Sequence, residues 1–233
     1  MRTYAQFCPI AKAAEVFCER WTALILRDLV AGATRFSQLK RGIPLASPTV
    51  LPRRLKDLEA EGIVERRRSE SGRSWTYHLT SAGREFAPIV EGLGVWGQRW
   101  SRRELKEHEI NLGLLIWGLE MSVRPEAFGT RRCVVKLTFV DQPEATRHWW
   151  FVNDGGRAQL CVEEPGYEVD LYLASTLPDM IYVYRGDLSV SGACAQRRID
   201  VHGTAWARRA LPRWLASFPL AHVRSQRTDA LAL

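Results

Sequence analysis

The apolar residues of this chain change their spacing part-way along, and that change limits what the chain can fold into. Up to about residue 100 they recur every three or four positions, as on one face of a helix: Trp21, Leu24, Ile25 and Leu29, then Leu51, Leu55 and Leu58. From residue 133 they alternate. Cys133, Val135, Leu137 and Phe139 are interleaved with Val134, Lys136 and Thr138, and Val169, Leu171 and Leu173 repeat the pattern of a half-buried strand. Two periods predict two domains: a mainly helical one over 1–104 and an α+β one over 110–222. A length of 233 residues suits two small domains.

In the first half, helices are expected at Ile10–Phe17, at Trp21–Ala31 (closed by Gly32), and at Phe36–Gly42. Ser47 is placed to cap a fourth helix, with Pro48 at its first position and Gly62 just past its end at Glu61. Ile63–Arg67 and Trp75–Leu79 read as two strands joined by the polar loop Arg68–Ser74. A long helix is expected from Thr80 or Ser81 to about Trp100. Its apolar positions, Phe86, Ile89, Val90, Leu93 and Trp96, exceed what one side of a small domain needs, so part of that face is expected to meet a partner chain. Ser101–Glu109 reads as a charged helical linker and Ile110–Val123 as an apolar helix.

In the second half, further strands are expected at Trp149–Val152, Gln159–Val162 and Ile199–His202, giving a mostly antiparallel sheet of about five strands. Helices are expected at Thr176–Tyr184, Leu188–Ala195 and Thr204–Ser217, with Arg224–Leu233 as a loose tail.

Charge separates the halves as clearly as period does. Residues 1–105 hold 18 Lys+Arg and 11 Asp+Glu, and residues 106–233 hold 15 of each, so the whole net charge of +7 lies in the first half. A basic module on a neutral one suggests a polyanion binder joined to something else. The longest stretch without a charge, Gly42–Pro52, is 11 residues and contains three prolines. A membrane span needs about 20 apolar residues, so no membrane insertion is expected. Arg2 and Lys12 bracket no apolar signal region, and a cytoplasmic protein is expected. Five cysteines without a Cys-x-x-Cys pair, and five scattered histidines, predict neither a disulfide framework nor a metal site. No cofactor is expected. There is no Gly-rich phosphate loop and no Gly-x-Ser-x-Gly, and Asp200 with His202 makes a poor dyad, so an enzyme is not expected.

Three helices followed by a hairpin are the layout of a winged helix-turn-helix, which reads double-stranded DNA. Such a fold needs one helix that packs on its neighbour with one face and offers polar and basic side chains to the major groove with the other. Ser47–Glu61 meets that demand. Leu51, Leu55 and Leu58 are expected inward. Thr49, Pro52, Arg53 and Lys56 are expected outward with Arg54 beside them. Ser37 and Ser47 join this DNA-binding set, and Arg68 and Arg73, with Arg66 and Arg67, make the hairpin a cationic wing. Pro52 removes one N–H and disfavours helix at Leu51, so a kinked first turn is expected.

Several motifs in order carry a family resemblance. Cys8-Pro9-Ile10, Trp21-Thr22, Leu24-Ile25-Leu26-Arg27, Arg35-Phe36-Ser37-Gln38-Leu39 and Ser47-Pro48 resemble the HxlR family of winged-helix regulators. So do Leu58-Glu59, Gly62-Ile63-Val64-Glu65-Arg66 and Tyr77-His78-Leu79-Thr80-Ser81-Ala82-Gly83. That family is similar to MarR-type regulators. The resemblance implies a homodimer held by terminal helices, one recognition helix per half-site, and action as a repressor. Two departures are Pro52 and Cys18-Glu19-Arg20, which replaces a Gly-containing turn. Cys8 matches a position that some members use as a redox or electrophile sensor, and Lys12 is the nearby cation that would favour its thiolate.

The second half is rich in aromatic residues, as apolar ligand sites are and as cores are. Glu168-Val-Asp-Leu-Tyr-Leu173, Leu177-Pro-Asp-Met-Ile181, Tyr184-Arg-Gly-Asp-Leu188 and Ile199-Asp-Val-His-Gly203 resemble sterol-carrier-protein-type domains. That resemblance implies a tunnel for a small hydrophobic ligand: a lipid, a sterol or an acyl-CoA-like molecule. Trp149, Phe151, Leu160, Leu171, Leu173, Met180 and Tyr184 are the candidate lining. The expected function is therefore a dimeric DNA-binding regulator sensing a hydrophobic effector. The alternative is redox sensing at Cys8, with a purely structural or interaction module behind it.

Overall fold

The computed structural model describes residues 3–69, 72–216 and 218–227. The chain divides into two compact units, Met1–Trp96 and Gly97–Leu233.

The first unit runs α1 (Pro9–Phe17), α2 (Thr22–Val30), α3 (Phe36–Gly42), α4 (Val50–Ala60), β1 (Val64–Arg68), β2 (Trp75–Leu79), α5 (Ser81–Arg84) and α6 (Ala87–Trp96). Its core is built where α2, α3 and α4 meet, from Ile25, Leu26, Leu29, Leu39, Ile43, Leu51, Leu55 and Leu58. The buried face of α2 differs from the expected one. Trp21 precedes the helix with φ +79°, so it leaves the helical register, and Leu24 is exposed while Thr22 and Leu26 turn inward. Gly42 ends α3 against α2, and a Cβ there would fall 1.7 Å from Asp28 Oδ2, so any larger residue would push the Asp28 carboxylate from its place. The expected long helix from Thr80 is broken between α5 and α6. Pro88 explains the break: it lacks the N–H that would reach the Arg84 carbonyl, and its ring would press on that carbonyl.

The second unit starts with a π-helical turn, Gly97–Ser101, and continues irregularly to a 3₁₀ turn at Glu107–Glu109. The charged stretch is thus not the helix its composition suggests. Arg102 is spent on a tertiary pair with the buried Asp187, and the Glu109 carboxylate closes the local turn by accepting from the Lys106 N–H at 2.9 Å. Then come α7 (Leu112–Ser122), a 3₁₀ turn (Pro125–Phe128), β3 (Cys133–Phe139), α8 (Glu144–Arg147), β4 (His148–Asp154), β5 (Arg157–Cys161), β6 (Leu171–Ser175), α9 (Leu177–Arg185), α10 (Val190–Ala195), β7 (Ile199–Gly203) and α11 (Ala205–Trp214).

The sheet order is β5-β4-β3-β6-β7, and the central pair β3/β6 is parallel. The sheet is therefore mixed, not mostly antiparallel as expected. After the hairpins β3–β4–β5, residues 162–170 carry the chain back past β3, so β6 enters in the same direction as β3. Side-chain alternation reports the face of a strand and is blind to its direction, which is why the sequence reading missed this. One face, bearing Val135, Leu137, Phe151, Leu171 and Leu173, packs with α7, α9 and α11 into a core that contains Trp214 and Phe139. The expected loose tail is tied at its start, where Gln226 N–H donates to the Arg99 carbonyl at 3.0 Å, and residues 228–233 lie outside the described residues. No helix among the described residues is long and apolar enough to cross a membrane.

Candidate nucleic-acid interface

The helix α3, the turn and α4 are positioned from the inside. Gln38 Oε1 accepts the N–H groups of Thr34 (3.0 Å) and Arg35 (2.9 Å), which fixes the start of α3. The Lys40 ammonium donates to the Ala46 carbonyl and holds the turn. α4 begins at Val50, later than expected, because the Ser47 hydroxyl is 3.3 Å from that of Thr49 and caps no backbone N–H. This shift resolves the effect of Pro52. It is the third residue of α4, and its missing N–H is among the first four that have no partner in any helix.

With Leu51, Leu55 and Leu58 buried, Thr49, Pro52, Arg53 and Lys56 form one exposed row at helical spacing. Ser37 and Ser47 are exposed nearby in the same motif. Arg54 does not belong to this row. Its residue is only 7% exposed, and its guanidinium is paired with Glu19 and, at 3.1 Å, with Asp57. It is the strut between α4 and the turn after α1, where a buried cation must keep its carboxylates.

The strands of the wing are cationic. Arg68 lies opposite Trp75 in register, and Arg66 sits two residues along on the same face. Both guanidiniums stack on the Trp75 ring, at 4.2 Å and 4.3 Å from its centroid. Arg67 alternates to the other face and pairs with Glu65. Arg73 is exposed in the loop. Trp75 was missed as a site residue, although a tryptophan directly across from a run of arginines was visible in the sequence. A cavity of about 850 Å³ lies between α1 and α4, and its wall sets Glu15, Glu19 and Asp57 against Arg53 and Arg54, so it carries no excess of positive charge. Hydrogen bonds from Thr3 and Tyr4 hold the Glu15 carboxyl below the ordinary range.

Residues 16–105 match a family model described as HxlR-like helix-turn-helix. The helix-turn-helix transcriptional regulator YvaP of Bacillus subtilis is 38% identical over 98 residues, which are 41% of this chain and 91% of YvaP. The chain belongs to the HxlR family. A second relative, the helix-turn-helix transcriptional regulator sll1512 of Synechocystis, is 33% identical over 107 residues, 46% of this chain and 79% of that protein. A solved structure of the redox regulator HypR in its oxidized form is 30% identical, covers 42% of this chain and 100% of that chain, and has a TM-score of 0.39.

The HxlR match begins at residue 16, so Cys8 lies ahead of it. Cys8 is half-buried at the start of α1, and the Lys12 ammonium expected to serve it lies 3.3 Å from Glu15 instead. In the second unit, burial pushes the Cys133 thiol up to about 12 and raises that of Cys194. Among the described residues no three metal-ligating side chains gather.

Beyond the HxlR match, the seven residues expected to line a ligand pocket fill the core. Phe151, Leu171, Leu173 and Met180 are at most 1% exposed, buried in the core. Trp149, Leu160 and Tyr184 pack around them. The closure has a cause in α11 and the 3₁₀ turn: Trp214 and Phe128 occupy the centre, with the Trp214 ring 5.5 Å from Phe151. A cavity of about 510 Å³ lies on the opposite side of β4 and β5, among Arg132, Asp154, Arg157, Gln159 and Tyr167.

Proposed function

We propose that the protein is a sequence-specific, homodimeric DNA-binding regulator that represses by covering its operator. The observation that carries this reading is α4: a fully anchored inner face and an outer row of Thr49, Pro52, Arg53 and Lys56, next to the stacked arginines of the wing. The outer row suits base edges in the major groove, and Arg66 and Arg68, held in place by Trp75, suit the phosphates beside it. Ser37, Ser47 and Arg73 complete the backbone contacts. Arg54 holds the helix and reads nothing.

The dimer reading rests on α1 and α6, which bury no residue among the described ones. Ile89, Leu93 and Trp96 follow one line along α6 and are 48%, 48% and 59% exposed, and Phe7 and Ile10 are more open still. An apolar effector in the second unit and a redox role for Cys8 are left out of this proposal, since the one lacks an open lining and the other its cation.

The test is a salt series of gel shifts on DNA flanking the protein's own gene, against random competitor. Specific binding should fall steeply with salt, with a slope of about −0.9 per phosphate contact. Arg53→Ala should cost about 1–3 kcal/mol on the specific site and relax the preference at one base position. Arg54→Ala should lower the melting temperature and leave the base preference unchanged. Wild-type affinity in both Arg53→Ala and Lys56→Ala, or no preference over competitor at any salt, overturns the reading.

A further inference from the structure

The arginines of the second unit are of two kinds. Arg102, Arg132, Arg147, Arg185 and Arg198 are each paired with an aspartate or glutamate. Arg208, Arg209 and Arg213, all exposed on α11, have no carboxylate within ion-pair distance among the described residues. Neither do Arg124 and Arg131, which extend the row. The Arg124 N–H donates to the Trp214 carbonyl at 3.0 Å, at the end of α11, and the Arg131 guanidinium lies 5.7 Å over the Trp206 ring near its start. Between residues 188 and 227 the chain carries seven arginines and a single acid, Asp200. Three of those seven, Arg208, Arg209 and Arg213, stand together on α11, which carries no acidic residue.

That helix is a firm support. Ala207, Ala210, Leu211 and Trp214 are buried, and the Trp214 indole N–H donates to the buried Asn153 side chain at 2.7 Å. The outer face presents Arg208, Arg209, Pro212 and Arg213. Ten helical residues span about 15 Å. Duplex DNA carries one negative charge per about 1.7 Å of axis, or about nine over that length. No large apolar side chain stands on the outer face, so it has nothing to insert into a lipid surface.

We infer that α11, extended by Arg124 and Arg131, is a second DNA-contacting surface, which grips the phosphate backbone without reading sequence. The choice of duplex DNA among polyanions rests on the function proposed for the first unit.

The experiment uses the full chain and a random-sequence duplex, titrated between 50 and 200 mM salt, beside the operator fragment. The triple variant Arg208→Gln, Arg209→Gln, Arg213→Gln should bind the random duplex more weakly. Its salt slope should be shallower by two to three, roughly 40-fold less affinity lost over that salt range. Its preference for operator over random DNA should persist. The matching Arg→Lys triple variant should keep the wild-type slope, which separates charge from any loss of fold. An unchanged affinity and slope for the random duplex in the glutamine variant overturns the inference. So does a loss confined to phosphatidylserine vesicles run in parallel. The first unit's function is scored separately: if the wild type shows no operator preference but the glutamine variant still loses random-duplex binding, that reading falls and this one stands.

Discussion

α6 and α7 are close in length and both are dominated by apolar residues, yet they end up in opposite situations. Among the described residues α6 buries none of its side chains, while α7 buries Leu115, Ile116, Trp117 and Leu119. The reason lies in what each helix faces. α7 is pressed against α9, so closely that a Cβ on Gly118 would fall 2.6 Å from the Tyr184 hydroxyl oxygen. α6 packs on α2 with one side and leaves the other over: a Cβ on its exposed Gly92 would meet nothing within 4 Å. An apolar count therefore tells how much a helix must hide and not where the cover comes from. In the second unit the chain covers itself. In the first, a second copy is the proposed cover.

The largest effect that would test this contrast is in the closed unit. Trp214→Ala removes a fully buried ring that touches Phe128 and Phe151, which should cost about 3–5 kcal/mol. It also leaves Asn153 Oδ1 without its donor, while the Asn153 amide stays bonded to the Cys133 and Phe151 carbonyls. Trp214→Phe keeps most of the ring and should show mainly that second loss, about 1–3 kcal/mol, with a smaller contribution from the space the indole leaves. Denaturant unfolding measures both. A small effect for the alanine variant would mean that the core is looser than its exposures say and would reopen the case for an inner ligand.

A middle-sized effect tests the open unit. Leu93→Glu places a charge at a half-exposed site, so it should leave thermal unfolding of a monomer almost unchanged. If α6 is the seam, the same substitution should reduce the mass in solution from twice 26.6 kDa to 26.6 kDa and weaken operator binding at least tenfold. Equal mass for wild type and variant at micromolar concentration would remove α6 from the interface.

The same contrast marks what could be read from the sequence. Elements whose limits depend on local chemistry were legible: Phe36–Gly42, Trp75–Leu79 and Cys133–Phe139 have the expected bounds. Pro88 should have broken the long helix in the reading too, since its signal was local. Arg54 was a misassignment with a visible remedy. Positions 51, 54, 55 and 58 share one helix face, and three of them are leucines, so Arg54 was bound inward with them. The direction of β6 was illegible, because alternation carries no such information. The filled core was illegible for a related reason: aromatics at strand spacing look the same whether they enclose a ligand or Trp214.

The smallest effect compares the two buried carboxylates. Asp187 in the second unit has two cations, Arg102 and, at 2.9 Å from Oδ2, Arg185, whereas Asp28 in the first has only Arg27, at 2.8 Å from Oδ1; the Oδ2 atom of each accepts no hydrogen bond among the described residues. Burial raises the pKa of both above the usual carboxylate value of 3.8, against the pull of their arginines. A raised folded value means that the stabilising form is the protonated one. The contribution of Asp28 is then complete below about 4 and is lost as pH rises through its folded value. Asp28→Asn keeps an acceptor for Arg27 and removes the titration. The variant should match the wild type in melting temperature near pH 3.5 and exceed it slightly at pH 7, the gap opening only as the carboxyl ionises. Parallel melting curves across that range would show that Arg27 alone already satisfies Asp28, and that the first unit holds its buried charge as securely as the second.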